Sequence, residues 1–188
     1  DLWVFNIHYF DYLNNNKVED DLKLKLVHSW IDQVEHSSVA WQPYPTSLRV
    51  VNWIKWIINH KIKDQKILRS LYAQCLHLDK NIEYHILANH LFANIKALLI
   101  AGIFFENKQG EIWFDRYKVL LNKELVKQIL QGGGHYELSP MYHNIILEDL
   151  LDILLFLKAY RVAIPHGFIT QIKKMFLWSD AMSHPDKE

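Results

Sequence analysis

The chain has 188 residues, half of them hydrophobic, with only 6 Gly and 5 Pro, which excludes disordered, collagen-like and linker classes and leaves one domain, or a large piece of one, with ample core. Lys plus Arg and Asp plus Glu each total 21, and zero formal charge argues against a broad basic surface for nucleic acid, though not against a local basic cleft. Cys75 is the sole cysteine, so neither a disulfide framework nor a thiolate metal cluster is available, and its apolar helical setting marks it as core.

In chain order, Trp3-Val4-Phe5-Asn6-Ile7 has strand character, and the first helix is expected from Val18 to His36, where Leu22, Leu26, Val27, Trp30 and Val34 recur at amphipathic spacing. Pro43 and Pro45 punctuate a loop, after which Thr46 or Ser47 can cap a helix running through Trp53 to about His60. Asp64 is a good N-cap for a helix over Gln65 to Leu78. Further helices are expected over Ile82 to Phe105, Phe114 to Leu130, Tyr142 to Tyr160 and Phe168 to about Met182, with a brief extended piece at Glu111-Ile112-Trp113. That gives about seven helices with short connections. Consecutive members then run antiparallel, and without a fixed-period repeat the choice is a toroid or an irregular bundle. The longest apolar run, Ala97 to Phe105, is too short to span a bilayer. No signal peptide is visible at Asp1-Leu2-Trp3, although a mature exported protein would look the same.

Polar residues gather at three places where packing alone does not call for them. The first is Pro43-Tyr44-Pro45-Thr46-Ser47-Leu48-Arg49 followed by Asn52-Trp53. Arg49 would sit in the first turn of its helix, where a cation opposes the macrodipole. A guanidinium there suits a carboxylate or sulfate ligand; an exposed or ion-paired arginine is the structural alternative. The second is Glu83-Tyr84-His85 through Asn89-His90 to Asn94. On a helix His85 and Asn89 share a face, and Asn is a poor mid-helix residue, so a site or an inter-helix polar network is implied. The third is Gly132-Gly133-Gly134-His135-Tyr136-Glu137-Leu138-Ser139-Pro140-Met141-Tyr142-His143. Ser139 would cap a helix with Pro140 at its first position. Tyr142 would then lie in the first turn, where the helix dipole favours a phenolate able to act as a general base. The order of His135, Glu137 and His143 is not a standard zinc motif, and no metal or other cofactor is expected. Aromatic residues lie beside polar ones at Trp41-Gln42-Pro43-Tyr44, Asn52-Trp53 and His8-Tyr9, which suits stacking on sugar rings and equally suits a bulky core.

At these segments the sequence resembles the N-terminal helical domain of the heparinase II/III-like polysaccharide lyases. The matching stretches are Asn6-x-His8-Tyr9-Phe10-Asp11, Pro43-Tyr44-Pro45-x-Ser47-x-Arg49-x-x-Asn52-Trp53, Glu83-x-His85-x-x-x-Asn89-His90, and His135-x-Glu137-x-Ser139-Pro140-Met141-Tyr142-His143. The resemblance extends along nearly the whole chain, and Ser183-His184-Pro185-Asp186 is similar to the family's run-out into a second, β-sandwich domain. It implies a single all-α domain over residues 1–188, an incomplete (α/α) toroid of antiparallel helical hairpins, whose own C-terminal β-sandwich would follow. It also implies β-elimination on an acidic, uronic-acid-containing polysaccharide, with no nucleic-acid or membrane partner and a bacterial periplasmic or cell-envelope location. On this reading Asn89 engages the uronate carboxylate and Tyr142 is the general acid/base. His90, Glu137 and His143 orient that pair or bind sugar, and Arg49, Tyr44, Asn52, His85 and His135 are further glycan contacts. Such enzymes also use a His from the β-sandwich, so these 188 residues alone are expected to bind glycan weakly with little activity. Two positions depart from the resemblance, Ala88 and Lys187, where glycine is expected at each. The alternative from another class is a non-catalytic glycan-binding module of surface-polysaccharide metabolism.

Overall fold

Amphipathic and apolar helical periodicity dominates the sequence, and the computed structural model, which describes residues 2–35 and 38–183, is helical accordingly. Eight α-helices and two short 3-10 turns are present among the described residues, and no strand beyond the isolated bridge between Ile129 and His135. The chain divides into two compact units, Asp1–Tyr84 and His85–Glu188.

In the first unit, α1 spans Leu2–Ile7, α2 Asp20–Gln33, α3 Pro43–His60 and α4 Gln65–Lys80, with 3-10 turns at Asp11–Asn14 and Val39–Trp41. The strand character of Trp3 to Ile7 is thus not realised. Six residues with no neighbouring strand close their hydrogen bonds locally instead. His36, the expected end of α2, lies outside the described residues. The expected cap at Thr46 or Ser47 is also corrected. Pro43 occupies the first turn of α3, where its missing N–H costs nothing, so the proline-rich segment starts the helix instead of preceding it. Thr46 and Ser47 lie inside α3 and bond back to Ala40 O and Pro43 O. Asp64 does cap α4, its carboxylate accepting from the N–H groups of Lys66 and Ile67. The core is aromatic. Trp53 and Trp56 are fully enclosed with Val27, Ile54, Ile67 and Leu71, and Phe10 meets Trp30 and Trp53 edge to face at 5.8 and 5.5 Å.

In the second unit, α5 spans Ala88–Phe104, α6 Lys108–Gln128, α7 Pro140–Ala159 and α8 Phe168–Met182. Helix α5 is mostly apolar around its circumference and buried from Leu91 to Ala101, Asn94 and Lys96 included, the position such a helix must take. Helix α6 crosses it closely: a Cβ on Gly110 would stand 2.0 Å from Phe105 O, so only glycine fits there. Asn107 caps α6 through Gly110 N at 2.9 Å, and Glu111 to Trp113 are helical, not extended. The Ile82 to Leu87 stretch is corrected out of α5. Leu87 and Ala88 both take positive φ, 63° and 46°, a conformation that begins the helix only at Ala88. The Gly132–Gly134 segment turns the chain toward α7, with Gly133 at φ 94° beside Lys174 O. Packing of α7 on both α5 and α8 completes the unit. Among the described residues no helix is long and apolar enough to cross a membrane.

Candidate functional site

In the first unit the predicted polar residues are tied to one another. Arg49 lies in the second turn of α3, not the first, and is wholly buried. Its guanidinium donates to Gln74 Oε1 at 2.7 Å, His8 O at 3.1 Å and Thr46 Oγ1 at 3.3 Å, and covers the Trp30 ring at 4.2 Å. Burial pulls its pKa down to about 9. The expectation of an anion clamp is therefore corrected: the Arg49 side chain is enclosed, and the protein itself takes three of its five N–H groups and its cationic face. Asn52 is similarly committed. Its amide nitrogen donates to Tyr9 O at 2.9 Å and Asp11 Oδ1 at 2.7 Å, and its oxygen accepts from Asn14. The first two sequence motifs thus form one knot that ties residues 8–14 onto α3. Tyr44 is half-buried, edge-on to Tyr9 at 6.2 Å.

The second unit is arranged differently. Asn89 and His90 stand in the first turn of α5, both half-buried. His85 lies outside the helix in an exposed turn, so it does not share a helical face with Asn89. Tyr142 stands in the first turn of α7 and is half-buried, with Ser139 capping its N–H loosely at 3.5 Å. Two fixed points show that α5 and α7 run side by side in the same direction. Near their starts, the Tyr136 hydroxyl accepts a hydrogen bond from the Ala88 N–H. Further along, Lys96 Nζ reaches Asp149 Oδ1 at 2.5 Å and Asp152 Oδ2 at 3.3 Å. Lys96 lies seven residues beyond Asn89, and Asp149 seven beyond Tyr142. Seven residues are within about 20° of two full turns, so Asn89 and Tyr142 project from the same faces as the ion pair, one level above it.

The histidines of the third motif turn inward. His143 is fully buried; its Nδ1 accepts from His135 N at 3.3 Å and its Nε2–H donates to Met175 O at 3.0 Å. Those partners fix a neutral tautomer, and burial lowers its pKa. Trp178 covers the ring at 4.3 Å. His135, also fully buried, places Nε2 3.1 Å from Gln128 Oε1, while Gln128 Nε2 donates to Glu124 at 2.7 Å. His135 Nε2 is then the donor, and Nδ1 keeps a lone pair 3.6 Å from Glu137 Oε2. Burial first, and then His143, pull the His135 pKa down to about 4. The expectation that His135 and His143 touch glycan is corrected to a structural role in seating the loop before α7. Glu137 remains partly open, its side chain 34% exposed. Among the described residues no group of three or more His, Cys, Asp or Glu could hold a metal ion, and both ring nitrogens of His143 are already engaged.

Sequence reasoning missed Tyr136 and the Lys96–Asp149–Asp152 cluster. The signal for the latter was present: a lysine inside an otherwise apolar helix, and two aspartates three apart in a leucine-rich one. Burial works against the Lys96 ammonium, but Asp149 and Asp152 outweigh it and hold its pKa above the ordinary lysine value.

Residues 3–188 match the family described as Heparinase II/III N-terminus. The chain belongs to this family. Among curated relatives, a heparin-sulfate lyase of Bacteroides stercoris is 31% identical over 112 residues, covering 55% of this chain and 16% of that protein. A heparin-sulfate lyase of Pedobacter heparinus is 28% identical over 130 residues, 64% of this chain and 18% of its own length. The crystal structure of heparinase III superposes with a TM-score of 0.76 over 97% of this chain and 30% of that one, at 20% identity. That of a heparan sulfate lyase from Pedobacter heparinus gives 0.68 over 98% and 31%, also at 20% identity. The heparinase II/III-type helical fold, an all-α toroid of antiparallel hairpins, is therefore the fold of this chain. The chain spans under a third of those solved structures and under a fifth of the curated relatives it matches. The Ser183 to Asp186 run-out and Lys187 fall on or beyond the last described residue, Ser183.

Proposed function

We propose that this chain is the helical part of a lyase that cleaves uronic-acid-containing glycans, of the heparan sulfate type, by β-elimination, with Asn89 and Tyr142 as the catalytic residues. The observation that carries this is the common placement of the two: each is half-open, each stands in the first turn of its helix, and the helices run parallel with those ends together. Two helix N-termini side by side favour an anion. In the proposed reaction the Asn89 amide donates to the uronate carboxylate, so that the charge spreading onto it as the C5–H bond breaks is stabilised. The C5 proton leaves to a base, the electron pair forms the C4–C5 double bond, and the C4–O bond to the neighbouring sugar breaks. Tyr142 supplies the proton taken up by the departing oxygen and is placed to exchange it with the C5 side. His90 and Glu137, both partly open, are neighbours that orient the pair or bind sugar. His85 is an outer contact.

The relatives are much longer than this chain, and we take the 188 residues by themselves to bind glycan weakly, with little turnover. A β-sandwich following them in the natural polypeptide would supply the missing group. Ultraviolet absorbance of unsaturated uronate is the assay. The full-length protein raises it on at least one uronate glycan, and Tyr142→Phe abolishes the rise while glycan binding persists. A Tyr142→Phe protein of undiminished turnover would remove the reading, as would robust turnover by the 188 residues alone for the claim of incompleteness.

A further inference from the structure

Helices α5 and α7 pack against each other and the residues each buries are largely aliphatic, and surfaces of that kind tolerate small rotations and slips because one Leu or Ile replaces another at similar cost. Into this interface the chain places Lys96, with 6% of its surface exposed, against Asp149, with 5% exposed. Asp152, one turn further along α7, gives the same ammonium a second partner. A buried ion pair of this kind is poor evidence for stability, since apolar residues of like volume do as well, and its best-attested use is to fix register. Here the register matters at one level above all. Moving seven residues back along each helix, about 10.5 Å, leads from Lys96 to Asn89 and from Asp149 to Tyr142.

We infer that Lys96, Asp149 and Asp152 are positioning residues for the elimination proposed above: the ammonium, gripped at two points on α7, sets how Asn89 and Tyr142 face each other. The inference rests on that functional reading. A one-turn slip or a modest rotation would leave a buried carboxylate or ammonium without its partner, so the charges forbid arrangements the aliphatic contacts allow. The cluster touches no substrate and moves no proton; it acts through the helix ends.

The test compares Lys96→Met, Asp149→Leu, the two combined, and Asp152→Asn in the full-length protein, by thermal unfolding and by kinetics on a uronate glycan. Each of the first two alone lowers the melting temperature, and the combination brings it back near the parent value because both charges leave together. Turnover is not brought back: kcat of the combined variant stays down about 10- to 100-fold with KM changed less than about threefold, the mark of misplaced rather than missing groups. Recovery of kcat along with the melting temperature overturns the inference. Should the combined variant not fold, Asp152→Asn decides. It keeps the parent melting temperature and loses about 3- to 10-fold in kcat, and parent-level kcat counts against the idea. A parent protein that turns over no uronate glycan defeats the lyase reading instead. The positioning claim is then read from nuclear magnetic resonance of the Asn89 side-chain amide and the Tyr142 ring. These signals shift in Asp152→Asn if the cluster sets their placement, and stay put if it does not.

Discussion

The two units carry equally polar motifs and use them in opposite ways. In the first, Arg49 donates to Gln74, Thr46 and the His8 carbonyl, and Asn52 to Asp11 and the Tyr9 carbonyl, so both are committed within the unit. In the second, Asn89 and Tyr142 stand half-open at helix ends, while the buried polar groups behind them hold the frame. A polar motif in a helical protein is thus of two kinds, and its sequence does not say which. The difference lies in whether partners arrive from elsewhere in the fold.

The sharpest way to break this contrast is to exchange its consequences. Tyr142→Phe removes only a hydroxyl from a half-open ring, so the melting temperature holds while turnover on a uronate glycan falls about 10²- to 10⁴-fold. Arg49→Met should do the reverse. It strands Gln74 Oε1 and His8 O and costs about 3 kcal/mol of stability, read by denaturant unfolding, while glycan affinity of the folded fraction is unchanged. If Arg49→Met abolished binding without loosening the fold, the first unit would have to be counted as part of the site.

Acid sharpens the contrast from the second unit's side. His135 is held neutral by burial, facing His143, Glu137 and Gln128, with a pKa near 4 against 6.5 in the unfolded chain. Protons therefore bind the unfolded form more tightly. The stability due to neutral His135 is whole above about pH 6.5 and drains away as pH falls toward about 4. The melting temperature followed across that window falls less steeply in His135→Gln than in the parent. The smallest effect expected is a gain. Ala88 holds φ 46°, a region that costs an L-residue about 1–2 kcal/mol, so Ala88→Gly raises stability by about 1 kcal/mol, after the greater freedom of glycine in the unfolded chain is counted.

That last position shows how much the sequence discloses. Glycine was expected at 88 from resemblance alone; the left-handed backbone supplies the physical reason, and this chain forms the turn without it. Helices α2, α4, α7 and α8 were legible because their periodicity, the Asp64 and Ser139 caps and Pro140 agree. Helix α1 was not, since a six-residue stretch with five apolar members fits a strand as well as a helix and only tertiary context decides. The start of α5 was misplaced because no Gly or Pro marks the turn at Leu87 and Ala88. The positions of Asn89 and Tyr142 in the first turns of their helices are what the structure adds to the motifs that single them out. Arg49, Asn52, His135 and His143 read as binding groups because nothing local reveals a partner 25 to 43 residues away, or one on α8.

The hydrogen bond from Ala88 N–H to the Tyr136 hydroxyl has a consequence for the order in which the chain assembles. It closes a loop of nearly fifty residues, and a contact of such separation carries a late entropic cost. The body of α5 can form early against α6, its neighbour in sequence, but its first turn waits for the segment before α7 to arrive. Mutations at Tyr136 should accordingly speed unfolding and leave the folding rate nearly untouched. The end of the helix that carries Asn89 is the last part of it to take shape.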